Sequence, residues 1–173
     1  MKRTALFLVL TMAFLAFALA AHAEENLPGE GVTVKHIAVS EEAAIVITEA
    51  PSYGDRTFPY PFVYGQLTYG DPFDYETITI ILVNGNYYGK KPFNDFPNGS
   101  IRPDGSFSVQ FSSNDGVGTD WLATDIFIFL VPSGYRDSIV PDVKAGYVIP
   151  PSQISALKKD SVCAVQLIRE PVE

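Results

Sequence analysis

The chain has one cysteine, Cys163. No intramolecular disulfide can staple it, so stability has to come from a packed core. Histidine is nearly as scarce, with two residues, and His22 lies in the N-terminal apolar segment, which leaves His36 alone. A lone histidine rules out a Ser-His-Asp set, and the chain also has no Gly-x-Ser-x-Gly elbow. It gives a histidine metal site no companions. Phosphate-loop and dinucleotide fingerprints are missing as well. Basic residues are few, 12 against 20 acidic, and such a surface repels nucleic acid and anionic lipid. Beyond residue 20 no stretch is apolar enough and long enough to cross a bilayer. There is no internal repeat, no low-complexity tract and no alternation of strand-like and helix-like segments of the kind a parallel α/β sheet requires.

What is present begins with an export signal. Lys2 and Arg3 precede an almost unbroken apolar run from Leu6 to Ala20, and Ala21-His22-Ala23 supplies a small-x-small cleavage pattern. Residues 1–23 read as a secretory signal peptide rather than a retained anchor, and no cysteine follows to carry a lipid. The mature chain is expected to start at Glu24 and to be periplasmic or extracellular. Its 150 residues suit one domain that buries about 70% of the surface its unfolded chain exposes. Lys2 and Arg3 are the only charged residues of the leader, so ten basic residues then face twenty acidic ones, a net charge of −10. After removal of the signal no membrane insertion is expected.

Twelve phenylalanines and nine tyrosines favour strands over helices. The clearest architectural signal is Asn84-Gly85 between two strand-like runs, a dipeptide suited to a type I′ turn whose central residues both need positive φ. A two-residue loop pairs Val83 with Asn86, Leu82 with Tyr87 and Ile81 with Tyr88. One face then carries Ile78, Ile80, Leu82 and Tyr87 and reads as core. The other carries Thr77, Thr79, Ile81, Val83, Asn86, Tyr88 and Lys90 and is mixed.

Along the chain, 24–31 reads as a flexible leader and 32–170 as a single β-sandwich domain. Strands are expected at 32–39, 43–49, 62–69 with Gly65 marking a bulge or close approach, the two hairpin arms, 106–112, 124–131 and 161–169. In the sixth, Phe107, Val109 and Phe111 point inward while Ser106, Ser108, Gln110 and Ser112 point outward. The stretch 124–131 is apolar on both faces and reads as central. Cys163 alternates with Val165 and Leu167 on one face and is expected to be buried and inert. Ser152 to Lys159 suits a short helix with Ser152 as N-cap and Ile154 and Leu157 facing in. Seven or eight short strands and one late helix predict an all-β, antiparallel two-sheet sandwich.

The strings VYGQLTYG at 63–70 and YETITIILVNGNYYGKKP at 75–92 resemble an Ig-like sandwich module of exported bacterial proteins. The likeness continues through Ile101, Asp104-Gly105-Ser106-Phe107, Ala123-Thr124, Leu130-Val131-Pro132 and Ile149-Pro150, and covers nearly all of the mature chain. Such modules are similar to accessory domains found beside glycoside hydrolases, which implies an Ig-like fold and no catalytic assignment. Their aromatic pair is usually two tryptophans; here it is Tyr87 and Tyr88.

Three aromatic residues are candidate ligand contacts. Tyr60 lies in the proline-rich loop 51–61, which either binds or packs its own rings on the sandwich end. Tyr88 lies on the mixed face of the hairpin. Trp121 follows a glycine-rich turn and either contacts a ligand or plugs the sandwich end. Asn114, Asp115 and Asp120 offer oxygens to calcium, although no Glu closes the loop and the same residues favour a solvated turn. Neither a metal nor a cofactor is therefore expected. Asp115, Asp120 and Asp125 are the carboxylates available to a glycosidase, a chemistry that needs two of them held across a cleft. The expected function is a non-catalytic exported binding module for a polysaccharide or an extracellular protein. A structural protein pairing through a sheet edge and a weak glycosidase are the alternatives.

Overall fold

A computed structural model describes residues 24–26, 31–55, 62–90, 101–110, 119–135 and 148–171. The fold is an all-β sandwich of two antiparallel sheets, with one α-helix among the described residues. Among the described residues there are ten strands: β1 (Glu24–Asn26), β2 (Val32–Ala38), β3 (Ala44–Glu49), β4 (Phe62–Tyr69), β5 (Tyr75–Val83), β6 (Asn86–Gly89), β7 (Ser106–Gln110), β8 (Asp125–Pro132), β9 (Val148–Ile149) and β10 (Cys163–Arg169). Helix α1 spans Pro151–Asp160. The larger sheet has the order β1-β2-β10-β8-β5-β6-β9, and the smaller is β3-β4-β7.

The central hairpin forms in the expected register, Val83 opposite Asn86, Leu82 opposite Tyr87 and Ile81 opposite Tyr88. Its turn has φ 49° at Asn84 and 78° at Gly85, the left-handed pair that a type I′ turn demands. The assignment of its faces needs correction. Both sides of β5 are buried, because the larger sheet is covered twice. Ile81 and Val83 join Ile126, Ile128, Leu130, Cys163, Val165 and Leu167 in the layer between the sheets, against Ile45, Ile47, Val63, Leu67, Phe107 and Val109 of the smaller one. Ile78 and Ile80 lie on the other side with Phe127, Phe129, Ile149 and the helix residues Ile154 and Leu157. Thr77 and Thr79 are buried in the inter-sheet layer, and these two hydroxyls are what made that face look wet.

Gly65 of β4 sits opposite Phe107 of β7, and a Cβ there would run into the Phe107 ring. The glycine is therefore a seat for the ring, which covers the bare backbone and fills the inter-sheet layer. Glu24–Asn26, expected in a flexible leader, pairs instead with β2 as a short edge strand. Val148–Ile149 pairs with β6 inside what the sequence suggests is a long connection. The helix is capped by Pro150 without a side-chain bond, with Pro151 at its first turn; Ser152 is not the cap, because the fixed φ of proline already suits the helical start. Gln110, expected on the wet side, is buried. Residues 1–23, with the expected signal, lie outside the described residues.

Candidate functional site

The helix makes the two outer surfaces of the sandwich unequal. The larger sheet packs part of its outer face under α1, whereas the outer face of the smaller one carries Tyr64, 40% exposed, and Val46, also exposed. Strand alternation explains the arrangement: Val63, Gly65 and Leu67 turn inward and are buried, so Phe62, Tyr64, Gln66 and Thr68 must turn outward. The rings of Phe62 and Tyr64 lie 5.8 Å apart, tilted by 32°. Since β4 is the middle strand, this ring pair is flanked on both sides. Tyr64 has Glu49 of β3 on one side and Ser108 of β7 on the other. Gln66 lies between Val46 and Ser106, and Phe62 faces Gln110.

One edge of this face is fixed by a turn. Pro103-Asp104-Gly105 reverses the chain, with Gly105 at φ 82° and Gly105 N–H donating to the Arg102 carbonyl at 2.7 Å. Asp104 Oδ1 accepts from Ser106 Oγ at 2.7 Å and Ser106 N–H at 2.9 Å. These bonds, the hydroxyl's first, hold the Asp104 carboxyl below its ordinary range. Gln66 Nε2 donates to the Asp104 carbonyl at 2.6 Å, which ties the turn to β4. Arg102 Nη1 donates to Ser106 Oγ at 3.3 Å.

The candidate residues named from the sequence fall elsewhere. Tyr88 is half-buried and packs against the inter-sheet core, so it is not on an outer face, and it shares no surface with Tyr64. Tyr87 packs against the helix-side core, its ring 5.8 Å from that of Phe127. Trp121 lies half-buried in a 3₁₀ turn, Asp120–Leu122, and its carbonyl accepts from Gly54 N–H at 3.0 Å. Tyr60, Asn114 and Asp115 lie outside the described residues. Asp120 is paired with Lys90 Nζ, and both side chains are buried, so an ammonium already sits where a calcium ion would need open carboxylate oxygens. Asp125 accepts from Gln166 Nε2 at 2.6 Å and from Thr124 Oγ1 at 2.8 Å. Cys163 is buried, and desolvation pushes its thiol up to about 12, which withholds the thiolate that a nucleophile or metal ligand requires. His36 sits in β2 opposite Val165.

Sequence reasoning missed Arg169, 1% exposed at the end of β10. Its Nε donates to the Pro51 carbonyl at 2.9 Å, Nη1 to the Ala123 carbonyl at 3.0 Å and Nη2 to the Ser52 carbonyl. Burial pulls the guanidinium down to about 10, partly opposed by Asp55, so it stays charged at neutral pH. This fork ties the loop after β3 to the turn that holds Trp121. It was hidden because an arginine at a strand terminus ordinarily faces water. The ring pair of β4 was legible in principle, since alternation with Val63 and Leu67 puts Phe62 and Tyr64 on the opposite face.

No family model, no curated protein and no solved structure matches the chain, so the functional reading rests on the ring pair of this face and on the exposure of Tyr64.

Proposed function

We propose that the protein is an exported, non-catalytic β-sandwich binding module, whose contact surface is the outer face of the three-stranded sheet. One observation carries this reading. Part of the outer face of the larger sheet is packed under a helix, whereas that of the smaller displays the Phe62–Tyr64 ring pair among serine, glutamine and carboxylate side chains. Half-exposed rings on a rigid strand, bordered by groups that donate and accept hydrogen bonds, suit a sugar face or a protein side chain. The signal-like leader and the resemblance to accessory modules of exported bacterial proteins support the same reading. A catalytic role is disfavoured by the engagement of Asp120 and Asp125 with their neighbours and by the protonated thiol of Cys163. Pairing through β3, one of the two edge strands of the smaller sheet, is disfavoured by register shifts toward both of its ends, which kink an edge away from added strands.

The test is retention. Biotinylated mature protein, presented to a glycan array and to solubilised cell-envelope proteins, is expected to retain a ligand that Tyr64→Ala loses. Retention by the variant equal to that of the parent removes the face from consideration.

A further inference from the structure

We infer that the occupant of this face is a neutral polysaccharide, held by the flank of its chain and lying parallel to β4. The inference rests on the proposed reading of the face as the binding site and adds the chemistry of its ligand. Direction comes from the rings. Phe62 and Tyr64 are two residues apart on one strand, and their ring centroids lie 5.8 Å apart. Successive sugars can stack on them only if the chain follows the strand. The polar groups are arranged to match. Ser108 and Ser106 of β7 run along one side of this line, Glu49 and Val46 of β3 along the other, and Gln66 continues it beyond Tyr64. A pleated face of this kind meets the side of a chain and offers no socket for its terminus.

Charge decides between neutral and acidic glycans. Glu49 lies beside Tyr64, and Asp104 stands at the turn that bounds the face next to Gln66, its carboxylate favoured by bonds from Ser106. Among the described residues the cation of this face is Arg102, which donates to Ser106 Oγ and lies close enough to Asp104 to favour that carboxylate. Uronates or sulfates would therefore meet like charge at close range and, once the expected signal is removed, a net charge of −10 at long range. Sugar hydroxyls, by contrast, are good donors to Glu49 and Asp104.

The experiment is native affinity electrophoresis of the mature protein in gels holding hydroxyethylcellulose, arabinoxylan, galactomannan, polygalacturonate or alginate. Retardation is expected in at least one neutral gel and in neither polyanion. Tyr64→Ala should weaken it at least tenfold and Tyr64→Phe should keep it, with the thermal transition of both variants unchanged. A hexasaccharide of the retarding polymer should displace it where the monosaccharide does not. Retardation by the polyanions alone overturns the inference, and if Tyr64→Ala abolishes it the face survives as the site. Neutral-gel retardation untouched by Tyr64→Ala and Phe62→Ala overturns both inference and site. Retardation in no gel also overturns the inference, and capture of envelope proteins through Tyr64 then judges the face on its own.

Discussion

Two glycines separate two ways in which a missing side chain matters. At Gly65 the backbone conformation is ordinary and the obstacle is the Phe107 ring, so Gly65→Ala should act by overpacking, costing about 1–3 kcal/mol. At Gly85 a Cβ meets nothing within 4 Å, but φ is 78°, so Gly85→Ala should cost only about 1 kcal/mol through backbone strain. Urea titrations followed by circular dichroism check both, and Phe107→Leu is expected to relieve the first substitution and leave the second unchanged. A reversed order of costs contradicts the seat described for Phe107. Cys163 gives a pH prediction. Its thiol is raised from 9.0 to about 12 by burial, so the folded state holds the proton more tightly than the unfolded chain. The stability tied to the thiol is complete below pH 9 and is lost as pH rises toward 12. Thermal midpoints should fall across that window, and less so in Cys163→Ala.

Among the elements, the central hairpin was the most legible in the sequence and the most instructive where it was misread. Asn84-Gly85 specifies turn type, loop length and register, and all three are found. The choice of inward face was not recoverable, because parity says only which residues share a side, and β5 is buried on both. Thr77 and Thr79 disguised the inter-sheet side, which took Tyr88 with it. The strands at 32–38 and 62–69, the central position of β8 and the inward helix residues Ile154 and Leu157 were legible from periodicity. Two strands were not. β1 and β9 have three and two residues, too few to show any period. Arg169 escaped for another reason: its partners are backbone carbonyls more than forty residues away, and carbonyls leave no trace in side-chain identity. Arg169→Lys should cost about 3 kcal/mol in denaturant titration, because a single ammonium cannot reproduce three bonds directed by a planar fork. A cost no larger than that of an exposed Arg→Lys change contradicts the clamp.

At the scale of the whole molecule, the two apolar clusters share a sheet. β5, β8 and β10 give alternate residues to each, so neither layer can melt without stripping the other. Ile126→Ala on the inter-sheet side and Leu157→Ala on the helix side should each cost about 2–5 kcal/mol and should shift one common transition. Fluorescence of Trp121, the sole tryptophan, and far-ultraviolet circular dichroism are expected to give coincident curves. Separate midpoints for the two probes contradict this coupling.

The unequal covering of the two outer surfaces also bears on how the molecule can be fixed to a support. Of the described lysines, Lys158 and Lys159 are exposed on α1, the first with its ammonium 5.5 Å from the centre of the Phe127 ring, Lys35 lies on β2, and Lys90 is locked in its ion pair with Asp120. None belongs to the small sheet. Amine coupling to a biosensor chip will therefore grip the described part of the protein by its helical back and its far edge, leaving Tyr64 and its neighbours turned toward the flowing sample.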